Sequence, residues 1–254
     1  MKRIVIVFTL MVGLSVAMQA AVRGDVKVLE ATDTIRYRIN DFTKNYLLYY
    51  LFPQKVYLKN RLTEDLLQLD ESFREISVTT EDKKTKSLLA YFVYEKARLV
   101  ELLRKKPKKK DLAALLLTSE TFSEGADTIA RHHAYEFSEN EKMFMRARFM
   151  KQEIEEILKY YIAKIILTDD PQLQKKLIHS IKKFDKNLDY INQYAYTDEK
   201  ILKVRERIDR SWKFAEKYLT KRKRMAPLPL VMNVGGKHIE SFLNVLEIYH
   251  SKSE

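Results

Sequence analysis

From residue 26 onward the apolar positions fall three and four apart, the period of helices with one buried face, and nowhere do they settle into the alternation of a strand. The first stripe, Val28, Ile35, Ile39, Phe42, Tyr46 and Tyr50, predicts a helix over Val26 to Leu51 that Pro53 ends. A second, through Val56, Leu62, Leu66, Leu69, Phe73 and Ile76, predicts a helix over Lys55 to Ile76. Thr79 and Thr80 before Glu81 and Asp82 signal the start of a third, which reaches about Arg104 and is closed by Pro107. The fourth is expected over Asp111 to Glu136, with Asp111 as an acidic cap. Ser138-Glu139-Asn140-Glu141 has the S-x-x-E form of a capping box and opens a fifth, to Leu167. Asp169, Asp170 and Pro171 open a sixth, to Tyr194, and Thr197-Asp198-Glu199 a seventh. Pro227 and Pro229 mark a linker, and Gly235-Gly236 precede the closing helix through Phe242, Leu246 and Tyr249.

The fifth helix repeats the first. IRYRINDFTKNYLLYY, starting at Ile35, returns as MKQEIEEILKYYIAKI from Met150, 115 positions on. The offset pairs Arg36 with Lys151, Ile39 with Ile154, Asp41 with Glu156, Lys44 with Lys159 and Tyr46 with Tyr161, so charge sign and apolar position agree. It continues through Leu62/Leu177, Asp70/Asp185 and Phe73/Leu188, and Leu117/Met232 carries the same spacing into the last helix. Thr80/Thr197 marks a two-residue insertion between the copies. The chain is therefore predicted to be all-α, a tandem duplication of a four-helix unit with repeats at 25–138 and 139–254, forming one elongated bundle or two adjoining ones.

Composition agrees with helices. There are only 5 Gly and 5 Pro, and 46% of residues are hydrophobic, enough for a core. With no cysteine, disulfides and thiolate chemistry are excluded. Residues 1–20 read as a signal peptide: MKR, an apolar run from Ile4 to Val16, then small residues at Ala17, Ala20 and Ala21. Cleavage after Ala20 is expected, which implies a periplasmic or secreted protein; the alternative is an N-terminal membrane anchor.

A net charge of +12 is compatible with an anionic partner. Most cations alternate with acids along the helices, however. The two dense clusters, Lys105 to Lys110 and Lys221 to Arg224, fall at helix C-termini, where cations complement the helix dipole.

Candidate chemistry is sparse. His132 and His133 are neighbours about 100° apart on a helix and do not make a metal site, even with Glu136 nearby. Trp212 and most of the 15 tyrosines fall on apolar faces and are expected in the core. No G-x-S-x-G, H-E-x-x-H or phosphate-loop motif occurs, so no catalytic residue, metal or cofactor is expected. The candidate ligand anchors are the repeated cations Arg36 and Lys151, with Arg38 and Arg148 nearby; the same residues read equally as surface salt bridges.

The order cation, then K-x-Y-L-L, then L-x-x-x-L-x-x-L-D-x-x-F resembles the N-terminal sensing region of PilJ-like type IV pilus chemotaxis transducers, relatives of NarX-like nitrate and nitrite sensor domains. Asp209-Arg210-Ser211-Trp212-Lys213-Phe214 is similar to that family's W-x-F element, and the likeness spans both copies. The resemblance implies a helical sensor bundle whose opening helix reads an anion through arginines. The first of these falls on Arg36 and Lys151, the lysine on Lys44 and Lys159, and the second arginine on Asp41 and Glu156. The expected function is therefore ligand or partner binding without catalysis: a small ligand, or a membrane receptor or kinase of the envelope, with a homodimer compatible and nucleic acid not expected. The alternative is an envelope protein that holds anionic cell wall or lipid through its basic clusters.

Overall fold

The computed structural model describes residues 2–252 apart from 134, 169 and 220–227, with side chains from residue 25 onward. The signal-peptide reading of residues 1–20 rests on side chains outside that set, and Asp169, Lys221 to Arg224 and Pro227 lie outside it too. Among the described residues there are eight helices: α1 (Lys2–Leu51), α2 (Val56–Thr79), α3 (Lys83–Leu103), α4 (Lys109–His132), α5 (Glu139–Ile166), α6 (Pro171–Gln193), α7 (Glu199–Leu219) and α8 (Pro229–Ser251). None is long and apolar enough to cross a membrane.

Most starts were written in the sequence. Ser138 Oγ accepts from the backbone N–H of Glu141, whose carboxylate accepts from the N–H of Ser138, completing the box at α5. Three boundaries differ. The cap of α3 is Asp82, which accepts from Thr85 N at 2.7 Å, while Thr80 Oγ1 accepts from Asp82 N. Asp111 lies in the first turn of α4, which ends at His132, before Glu136. Most importantly, α8 begins at Pro229, where a missing N–H costs nothing, so Gly235 and Gly236 sit inside the helix and do not precede it.

Each repeat closes on itself. α1 packs on α2 and α4, α2 on α3 and α3 on α4; α5 to α8 form the same ring, and the two rings meet along α1 and α5. These central helices run parallel: Arg148 reaches Glu30 and Thr34, and Lys159 reaches Asn40, all near the repeat offset. The two copies agree in detail. Each of the eight buried positions of α2, from Leu58 to Ile76, falls at 115 on a buried position of α6, from Leu173 to Ile191.

Further along, the offset drifts. Thr85/Ile201 and Phe92/Ile208 match at 116, and Leu115/Met232, Phe122/Ile239 and Ile129/Leu246 at 117. The constant 115 read through Leu117/Met232 is thus corrected, and so is the two-residue insertion read at Thr80/Thr197, since Thr80 beside His133 corresponds to Tyr196 beside His250. One residue is inserted before α7 and another before α8, because buried faces, not letters, hold the register.

Polar ties repeat along with the cores. Asp70 accepts from Lys96, and its counterpart Asp185 accepts from Trp212 Nε1 at 2.7 Å. Arg36 binds Asp127 of α4, and Lys151 binds the matching Asn244 of α8 at 2.8 Å. His133 and His250 also correspond. Nδ1 of the first lies 2.8 Å from Asp25 of α1 and Nδ1 of the second 2.6 Å from Asn140 of α5, each tying the end of a repeat's last helix to the repeat's first helix.

In the first repeat Phe73, Phe92 and Phe122 stack, with ring centroids 4.7 Å apart for the closest pair. Gly125 makes room for them: a Cβ there would lie 2.6 Å from Phe92 Cζ, whereas one at Gly235 would meet open space. Gly125→Ala is therefore expected to cost about 1–3 kcal/mol through overpacking. Gly235→Ala, in an open helix interior, should gain about 0.5–1 kcal/mol. Urea denaturation of the pair tests this, and equal effects would contradict it.

Candidate functional site

α1 is contacted by α2, α4 and α5, and α5 by α6, α8 and α1, so neither central helix has a wet face along its middle. From Ile39 to Leu48 every residue is buried, which traps Asn40, Asp41, Lys44 and Asn45 in the interior; α5 traps Glu153, Glu155 and Lys159 likewise. Buried charge is costly unless paired. Here the pairing crosses the repeat junction.

Lys44 Nζ lies 2.7 Å from Asp41 Oδ1 and also binds Glu155, with all three side chains fully buried. From α8, Lys237 donates to Glu155, to Glu240 at 3.0 Å and to Tyr37 Oη at 3.2 Å. Tyr37 in turn donates to Glu240 at 3.2 Å. Burial would raise the Glu155 carboxyl, but Lys44 and Lys237 overcome it and hold the group below the usual range. Burial and the neighbouring Glu155 push the Glu240 carboxyl well above its ordinary 4.5. Lys44 and Lys237 are both raised, the carboxylates outweighing burial.

The repeat-related position is built differently. Lys159 Nζ donates to Asn40 Oδ1 at 2.7 Å and Ser119 Oγ at 3.1 Å, with the Tyr160 ring 4.4 Å away. With no carboxylate on it, burial lowers its pKa to about 8. Lys44 and Lys159 thus occupy equivalent places, one facing Glu155 and the other Asn40, the residue equivalent to Glu155.

Beside the charged cluster a cleft of about 300 Å³ opens between α1, α5 and α8. Arg38, Arg148 and Lys151, three of the four cations expected from sequence, line it together with Asp33, Tyr37, Glu240, Asn244 and Glu247. The fourth, Arg36, is turned to Asp33 and Asp127, with only 9% of its side chain exposed. Lys151 is bound to Glu247 and Asn244, and Arg38 lies 3.3 Å from Asp65. Arg148 is held most loosely, 3.6 Å from Glu30 and 3.8 Å from Glu247. Among the cleft residues, Asp33 Oδ2 and Arg38 Nε are buried with no hydrogen-bond partner among the described residues. Buried polar atoms of that kind are rare in a finished interior.

Sequence reading found the cations of this cleft but missed Tyr37, Glu155, Lys237 and Glu240. A signal for the buried cluster was present: Lys159 stands in ILKYYIAKI and Lys44 in KNYLLYYL, helical turns with little polar face left to carry a charge to water. His132 is exposed while His133 is buried, and among the described residues no cluster is arranged to hold a metal ion.

The chain is an all-α protein of two adjoining four-helix bundles with a charged, cleft-bearing seam. Comparison with protein-family models, curated proteins and solved structures returns no match.

Proposed function

We propose that this is an exported, non-catalytic binding protein of the sensory kind, which takes a small zwitterion of amino-acid type in the cleft between α1, α5 and α8. The observation that carries the reading is the pair of unpartnered buried atoms on Asp33 and Arg38, which line the same cleft as the loosely held Arg148. A ligand carboxylate suits Arg148 and Arg38, and a ligand ammonium suits Asp33 and Glu247. A simple inorganic anion would leave the acids unanswered. The volume lies at the lower end for small-molecule sites. The N-terminal signal-like pattern supports export, and the resemblance to PilJ-like sensing regions supports a membrane receptor or kinase of the envelope as the partner that reads the bound state.

A thermal-shift screen of amino acids, short peptides and small anions tests the reading. A ligand at a hundredfold excess over its dissociation constant adds about 2.7 kcal/mol to the stability of the state it binds. A zwitterion should be the strongest hit, and Arg148→Ala should weaken it by about 1–3 kcal/mol as a charge-assisted contact is lost. Failure of every zwitterion at millimolar concentration, or a hit that binds Arg148→Ala as tightly as the parent, would remove this site from consideration.

A further inference from the structure

We infer that the groove between α7 and α8 docks an amphipathic helix of a partner protein, one that carries carboxylates beside its apolar face. The groove holds about 930 Å³, and Phe214, Tyr218, Val234 and Phe242 line it. Phe214 is 64% and Val234 69% exposed, large apolar areas to leave in water. Arg207 and Arg210 line the same groove. Among the described residues the ion pair on α7 joins Lys213 to Asp209, so neither arginine has a carboxylate of its own. Arg207 lies over the Phe242 ring, 5.8 Å from its centroid, at the border of the apolar lining. An apolar trough edged by two unanswered guanidinium groups selects an apolar helix face flanked by Glu or Asp. From Arg207 to Tyr218 the groove matches about three helical turns.

The duplication supplies an internal comparison. In the first repeat the counterpart of Phe214 is Arg98, paired with Glu95 at 2.9 Å, and the groove there is smaller, about 420 Å³. The helix pair is common to both copies, and Lys105 and Lys110 line the first groove as Arg207 and Arg210 line the second, but the wide lining with Phe214 and Val234 exposed belongs to the second. This surface stands apart from the cleft between α1, α5 and α8, and the inference does not depend on what that cleft binds.

The test uses the full chain and three synthetic peptides: an amphipathic helix with Leu on one face and Glu beside it, the same peptide with Lys in place of Glu, and a scrambled Glu version. Fluorescence anisotropy should show the first binding about tenfold or more tighter than the other two. Added salt should weaken it. Arg207→Glu/Arg210→Glu and, separately, Val234→Asp should each reduce binding about tenfold or more; both alter exposed sites and should melt within a few degrees of the parent. Equal binding of all three peptides, no saturable binding, or variants that bind like the parent would overturn the inference. So would sedimentation showing a dimer that Val234→Asp dissolves, since the groove would then belong to a second copy of this chain.

Discussion

Glu155→Ala is expected to lower the unfolding free energy by about 3–5 kcal/mol, the cost of leaving buried charges without their partner. Glu155 is fully buried and bridges Lys44 of the first repeat to Lys237 of the second. Without it Lys44 keeps Asp41 alone, and Lys237 keeps Glu240 and, at 3.7 Å, Asp41. The loss should be visible as a lower urea midpoint with an unchanged slope. Lys44→Met/Glu155→Met removes the pair as a unit and should recover most of the deficit, because a buried ion pair roughly breaks even with apolar side chains of similar size. A Glu155→Ala variant within about 1 kcal/mol of the parent would mean that the seam is hydrated or loosely held, since exposed pairs contribute no more than that.

How far the seam could be foreseen follows from what fixes each part. The eight helices and the duplication were legible because amphipathic spacing is local and the two copies check one another. Ser138 with Glu141 and Pro171 announced starts that the structure keeps. Gly235-Gly236 misled for a tertiary reason: Gly236 serves close packing, since a Cβ there would lie 2.5 Å from Leu158 Cδ1, and only the fold places α5 opposite it. The insertion was visible at Thr80/Thr197 but misplaced, because matching letters do not fix the register in a connection: the buried faces put one residue before α7 and the second before α8.

Of the four candidate cations, Arg38, Arg148 and Lys151 share the cleft, while Arg36 faces Asp127 of its own repeat. Single-helix spacing cannot tell those two situations apart. Glu155 and Glu240 were out of reach for the same reason: each looks like an ordinary surface acid on its own helix, and becomes part of the seam only when α5 and α8 close on α1.

Between pH 5 and pH 8 the parent should lose stability that Glu153→Gln retains. Glu153 is 7% exposed and accepts from Asn187 Nδ2 at 2.8 Å. Burial lifts its pKa from 4.5 to about 7, opposed by the Asn187 hydrogen bond and by Lys183 and Arg146, and aided by Glu156. Between those two values the folded state binds more protons than the unfolded one, so stability falls as pH rises. The contribution is complete below pH 4.5 and is lost as the pH passes through about 7. Gln keeps an acceptor for Asn187 and has no proton to lose. The two proteins should therefore be nearly equal at pH 4, and at pH 8 the variant should be more stable by up to about 3 kcal/mol at ~1.4 kcal/mol per pKa unit.

Asp65 drives the same downward slope, since burial and Asp41 raise it to about 8, so the variant should flatten the curve without levelling it. Lys159 acts in the opposite sense at higher pH: its depressed pKa of about 8 means stability recovers above that point, toward 10.5. Urea midpoints across this range decide the matter. Parent and variant curves that run parallel from pH 4 to pH 8 would show that Glu153 ionises as freely in the fold as in the open chain, and that the face between α5 and α6 admits water.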